Sequence, residues 1–400
     1  MRRTFRLIFP LFFLIIVVLT GCSRSLLVLE RDTLFSLQYG TMEDQVQLFV
    51  TDRAVRRRTR VTMRNGLIYV ASGYANKVMQ FTSYGDLINL FYNPEQNPRP
   101  VMLAGAQVDQ RATNRRAHPH LFGAVGEIAV TSTGTLLVED EVPDRVAVFD
   151  EALGVRLNRL VMRLGADGHQ IDYLGQEGIG GTFFPHIQRI TVTNRDEIVV
   201  ATVAPPATIV FWFSADGTLL RRVDISPDSL PAPAEVAASA ILAAVHPDRD
   251  LRRLYLKVDY YLHDAADDAT RARAITGQMS RIYWINVDDG SYEGFVDAPV
   301  DRFRDPITGD TTDYGYEFIG AATGEHLFLL SRRSIDESQL VILHSSGQVV
   351  RRRTLMIPYS EIVLRDIDLT SDGIVTALLA KRDSVEIVWW RSDRLFGDRR

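Results

Sequence analysis

The chain has 400 residues, 46 % of them hydrophobic, with 45 basic and 50 acidic side chains and one cysteine. Setting aside the leader arginines Arg2, Arg3 and Arg6 leaves 42 basic residues against 50 acidic, a charge near −8. That balance excludes nucleic acid as a partner, which needs a basic face, and one cysteine excludes both a disulfide framework and a thiolate metal site.

The first element is a leader. Three arginines precede an apolar stretch from Leu7 to Leu19, followed by the small residue Gly21. A charged start, a short apolar run and a small-residue cleavage site make a secretory signal, and the run is too short for a spanning helix of about 20 residues. Leu19-Thr20-Gly21-Cys22 resembles the lipobox of bacterial lipoproteins. The resemblance implies cleavage before Cys22, lipidation of Cys22 and anchorage to a membrane through it. Two or three acyl chains hold a protein stably where one does not. Residues 1–21 are therefore expected to be the signal peptide and 22–32 a tether. The body is expected in the cell envelope, in the periplasm or at the outer surface. The outer membrane is favoured, because Ser23 is not the aspartate that retains lipoproteins in the inner membrane of enteric bacteria.

From residue 33 onward the chain reads as strands separated by two alternating kinds of turn. One kind contains Asn65-Gly66, Thr133-Gly134, Thr323-Gly324 and Asp372-Gly373. The other has glycines 85, 154, 217, 290 and 347, which stand 57 to 73 residues apart. Asn, Asp and Gly recur because hairpin turns need positive φ. Each unit has a short first strand, an apolar second strand, an apolar third strand and a more polar fourth. Six such units predict an all-β fold, a six-bladed β-propeller of four-stranded antiparallel blades. The blades are expected at about 60–93, 126–162, 188–225, 241–298, 316–357 and 365–392, within a single domain spanning 33–400. The last unit lacks a fourth strand after Trp389-Trp390, so an N-terminal strand, 33–39 or 45–50, is expected to close the ring. In blade two the third strand is expected at Val146-Ala147-Val148-Phe149. Arg221, Arg222 and Arg351–Arg353 fall on fourth strands, where charge protects an exposed edge.

Some of these segments resemble NHL repeats. The lead-in Gly175 to Pro185, with Phe183-Phe184-Pro185, is similar to the glycine-phenylalanine-proline start of that repeat. Asn65 to Ser72 with Asn76 to Phe81, and Leu136 to Asp140 with Asp144 to Asp150, follow its strand, turn and arginine-valine-aromatic pattern, with departures such as Ser72 for the usual aspartate. The resemblance covers roughly half of the chain. With the lipobox it points to NHL-like propeller lipoproteins, as in spirochaetes and related bacteria. It implies a binding platform for a protein or small ligand; in a minority of such propellers it implies an enzyme with calcium or zinc in the channel.

Three imidazoles are candidate metal ligands. His118 and His120 precede blade two and His186 precedes blade three, so their loops are expected to gather at one channel mouth. Three His ligands with an open position make a catalytic zinc site. His246 is expected on the other side. Asp140, Asp150 and Asp313 lack the dense oxygen spacing of a calcium loop. Neither a nucleophile elbow nor a phosphate loop occurs. The leading expectation is therefore a non-catalytic platform with no catalytic residue and no required cofactor. Its partners are the membrane, through Cys22, and a protein or small molecule. The alternative is a periplasmic metal-dependent hydrolase or lyase. Two insertions, 93–120 and 259–278, are expected to carry specificity.

Overall fold

The structure, a computed structural model, describes residues 27–48, 57–101, 103, 115–233, 238–263, 275–304 and 308–396. Residues 1–26, with Cys22, and much of both insertions lie outside the described residues. The described chain is nearly all strand, arranged as a six-bladed β-propeller. Among the described residues no helix is long and apolar enough to cross a membrane.

Each blade is an antiparallel sheet running from the central channel outward. Blade one pairs Thr59–Arg64, Leu67–Ser72, Lys77–Phe81 and Leu87–Tyr92 in that order. Its first turn shows why the sequence signal works. Asn65 and Gly66 have φ of 52° and 75°, the double positive φ of a tight hairpin, which Asn and Gly tolerate. Blade three repeats the pattern with His186–Val192, Ile198–Ala204, Ala207–Phe213 and Leu219–Ile225.

Successive side chains on a strand point to opposite faces, so a middle strand serves two interfaces at once. In blade six, Leu378 and Ala380 pack toward blade one, while Ala377 and Leu379 pack toward blade five. In blade three, Val200 faces blade two and Val199 and Ala201 face blade four. Trp389 and Trp390 divide in the same way between those neighbours of blade six.

The ring closes through an N-terminal strand. Arg31–Gln38 pairs antiparallel with Ser384–Trp390 and becomes the outer strand of blade six. The described part of the segment after it, 45–48, forms a bridge, Val46 to Tyr39, and buries Val46 beneath the seam. The chain joins the propeller earlier than the expected end of the tether. Val28–Leu29 runs parallel to Thr354 and Leu355 at the edge of blade five, and the Leu27 carbonyl accepts the Thr354 N–H at 2.8 Å.

Blade two departs from expectation. Its third strand is Arg159–Leu164, paired with Leu136–Glu141, and its fourth is Gln170–Gly175. Val148–Asp150 instead pairs with Val155–Leu157 as a separate hairpin. The reason is burial. Leu160, Val161 and Leu164 are buried, the last two between neighbouring blades, whereas Val146, Val148 and Phe149 are left 45 %, 48 % and 63 % exposed. The segment with the NHL-like pattern is therefore an appendage of this blade and not its third strand. Blade one also gains a strand. Arg116–Pro119 runs parallel to Leu87–Tyr92 on its outer edge, shielding groups that would otherwise stay unpaired.

The closing strand contributes Leu37, buried between Leu378, Val385 and Ile387 in the core at the seam. Leu37→Ala is expected to lower unfolding free energy by about 2–4 kcal/mol through lost burial and the cavity left behind, read from the urea midpoint.

Candidate functional site in the central channel

The innermost strands alternate between blade interior and channel. In blade one, Val61 and Met63 go into the core while Arg60, Thr62 and Arg64 line the channel with their neighbours. In blade six, Asp366 and Asp368 alternate with Ile367 and Leu369. Glu127 of blade two, Arg189 of blade three and His246 and Arg249 of blade four complete a polar wall around a cavity of about 60 Å³. That is room for a few waters or one small ligand.

Ion pairs tie this wall across blades. Arg60 Nε donates to Glu127 Oε1 at 2.6 Å and its Nη1 donates to Asp366 Oδ1 at 2.7 Å, joining blades two, one and six. Asp366 Oδ2 accepts the Val61 N–H at 2.7 Å. Burial nevertheless pushes the Asp366 carboxyl up to about 6, although Arg60 pulls the other way. Asp368 Oδ2 accepts the Thr62 hydroxyl at 2.9 Å. Arg64 lies 3.8 Å from Asp196.

Blade four supplies a different kind of contact. The Arg249 guanidinium donates to the carbonyls of Val192, Leu369 and Ala321, at 2.8, 2.8 and 3.1 Å, and so links blades three, six and five. Burial draws its pKa down to about 10, with Asp368 opposing and Arg189 assisting. His246 is buried, with Nε2 donating to the Phe318 carbonyl at 3.1 Å. Burial, with Arg189 nearby, holds its pKa well below the usual value, so it is neutral. His246 lines the channel cavity.

A second cluster lies where blades one, two and three meet. Arg58 Nη1 donates to Glu127 Oε1 and to the Ile187 carbonyl, each at 2.8 Å, and stands 3.7 Å from Glu139. Glu139 is 2 % exposed and accepts the Glu127 N–H at 2.8 Å. Burial pushes its carboxyl up to about 7 against the pull of Arg58 and Arg159. Asp140, on the opposite face, accepts the N–H groups of Gly123, Ala124 and Glu141 and so fixes the loop leading into blade two.

The three candidate histidines do not form one cluster. His118 and His120 lie on and just after the added outer strand of blade one. Their rings stack on Phe91 at 5.1 and 6.2 Å, and His120 Nε2 donates to the Gly168 carbonyl at 3.1 Å. His186 begins the innermost strand of blade three, and its Nε2 accepts from Arg58. That contact uses the lone pair a metal would need. Burial lowers all three pKa values, with charged neighbours adding to it at His118 and His186. Among the described residues no group of three or more His, Cys, Asp or Glu side chains is placed to hold a metal. Asp150 caps the turn at Ala152 and Leu153, and Asp313 pairs with Arg302.

No protein-family model matches the chain, and no curated protein matches it. Solved structures match at low identity. A gluconolactonase from Xanthomonas campestris is 12 % identical, covering 80 % of this chain and 81 % of its own, with a TM-score of 0.39. Hydrazine synthase from Kuenenia stuttgartiensis is 12 % identical over 83 % and 96 %, with a TM-score of 0.38. The β-propeller domain of the Trilobed protease from Pyrococcus furiosus is 10 % identical over 83 % of both, with a TM-score of 0.38. These likenesses say nothing about activity.

Glu139 sets a pH signature. Its folded pKa lies above the ordinary 4.5, so its contribution to stability is full below about 4.5 and is lost as pH rises through about 7. Asp366 acts with the same sign through about 6. Glu139→Gln carries the neutral form throughout. Its stability relative to the unsubstituted protein should rise between about pH 4.5 and 8, measured by urea unfolding at several pH values.

Proposed function

We propose that this protein is a membrane-anchored lipoprotein whose propeller is a non-catalytic binding platform for a protein or small ligand in the cell envelope. The observation that carries the non-catalytic reading is the occupation of the channel carboxylates. Glu127, Asp366 and Asp368 each accept from an arginine, a threonine or a backbone amide of a neighbouring blade. A general base needs a carboxylate or imidazole facing the substrate, and these are turned toward donors of the protein itself. In this reading the channel works by recognition and needs no cofactor.

The anchor reading rests on the lipobox-like run before Cys22 and on chain length. Four residues, five Cα steps, separate Cys22 from Leu27, whose carbonyl is already bound to blade five. At about 3.5 Å per residue the link spans at most ~17 Å. A lipid on Cys22 would hold the edge of blade five against the bilayer, with the body in the periplasm or at the outer surface. We favour the outer membrane.

Two measurements on the full chain test this function. Metabolic labelling with a radioactive fatty acid should mark the protein and fail to mark Cys22→Ala, which should also leave the membrane fraction. Elemental analysis of the purified protein should find no stoichiometric metal. One equivalent of zinc or calcium, lost on His118→Ala or His186→Ala, would overturn the non-catalytic reading in favour of a metal-dependent hydrolase or lyase.

A further inference from the structure

One cation in the channel wall stands apart. Arg58, Arg60 and Arg64 each face a carboxylate of another blade. Arg189 lines the same cavity, half-buried, and its guanidinium makes no hydrogen bond and no ion pair among the described residues. It sits where the ladder between the first two strands of blade three slips, between Ile187 and Arg189. Such bulges re-aim a side chain away from the regular pleat.

Arg249 adds to the imbalance. It has hydrogen bonds, but all three go to neutral carbonyls, so its charge has no contacting carboxylate. Asp368 faces it across the channel and is already held by Thr62. The wall formed by blades three and four therefore carries two positive charges without contacting carboxylates. The wall formed by blades one, two and six is paired, with Arg64 reaching Asp196 of blade three. A half-buried cation in a polar, narrow space draws an anion, because little solvent is present to screen it.

We infer that the channel binds a small oxyanion, of the carboxylate or phosphate class, on the free guanidinium of Arg189. Arginine suits this ligand because its planar fork donates two parallel hydrogen bonds to two oxygens of one group. The cavity of about 60 Å³ limits the bound part to a single such group, with any larger body left outside the mouth. Arg249 contributes field and holds the floor of the site; Arg189 makes the contact. The inference rests on reading the channel as a binding site and names its ligand class.

The test is calorimetric titration of the detergent-solubilised full chain with sodium acetate, with inorganic phosphate and, as control, with sodium chloride at matched ionic strength. Saturable heat is expected with acetate or phosphate and none with chloride, and whichever oxyanion binds identifies its class. Arg189→Gln should weaken that binding at least tenfold with its thermal midpoint unchanged or raised. Arg189→Lys, which keeps the charge and loses the fork, should fall between. The exposed substitution Arg221→Gln should bind as the unsubstituted chain does. Absence of saturable heat with both oxyanions, or equal affinity in the Arg189→Gln variant, overturns the site. Failure of fatty-acid labelling at Cys22 would sink the anchor reading and leave this titration unaffected, so the two failures are distinguishable.

Discussion

Burial of every sheet on both faces is the constraint from which the rest of this molecule follows. A blade has a neighbour on each side, so consecutive residues of its middle strands are mostly apolar, as Ala377, Leu378 and Leu379 are. Polar side chains concentrate at the inner rim, the outer edge and the loops, with buried exceptions on middle strands such as Glu139, Lys257 and Thr376. Charges expelled from six interfaces accumulate along the innermost strands, where one residue in two faces the channel. The channel is polar because the blades are not.

Charges brought that close have to be compensated. Removing an ion from water costs several kcal/mol unless its partners replace the lost hydration. Blades one, two and six meet that demand with the Arg60 bridge to Glu127 and Asp366. Blade four meets it with carbonyl oxygens, which satisfy the Arg249 donors without neutralising the charge. The difference between these two solutions gives the channel a polarity across its width, and Arg189 lies on the positive side. The guanidinium is suited to both roles because it stays charged and offers five donors in a fixed plane.

The architecture was legible in the sequence because its signals are local. Turns such as Asn65-Gly66, and apolar strands at a steady spacing, depend on neighbours within a few residues. The closing strand was legible by subtraction, since the last unit ended at Trp390 with one strand missing. Pairing between segments was less visible. Asp144 to Asp150 has the residues of a third strand, yet Arg159–Leu164 takes that position because it buries more apolar surface between blades. His118 and His120 were read as channel-mouth residues because they precede blade two. Parallel pairing with Leu87–Tyr92 puts them on the outer edge instead, and no periodicity reports which edge a strand will join. The channel residues did carry a signal that went unused. Arg60-x-Thr62-x-Arg64 and Asp366-x-Asp368 alternate with apolar residues on first strands, the mark of a strand with one polar side.

The seam has a consequence for how the molecule is made. Arg31–Gln38 is synthesised well before its partner Ser384–Trp390. Beside that ladder, the Tyr39 hydroxyl donates to the Lys381 carbonyl 342 residues further on. Equilibrium tolerates such distance, since each doubling of a loop costs only about 0.6 kcal/mol in closure entropy. Vectorial synthesis does not shorten the wait. The earlier strand stays without its partner while five blades assemble, and a nascent chain stalled before Ser384 keeps that strand open to exchange with a second copy.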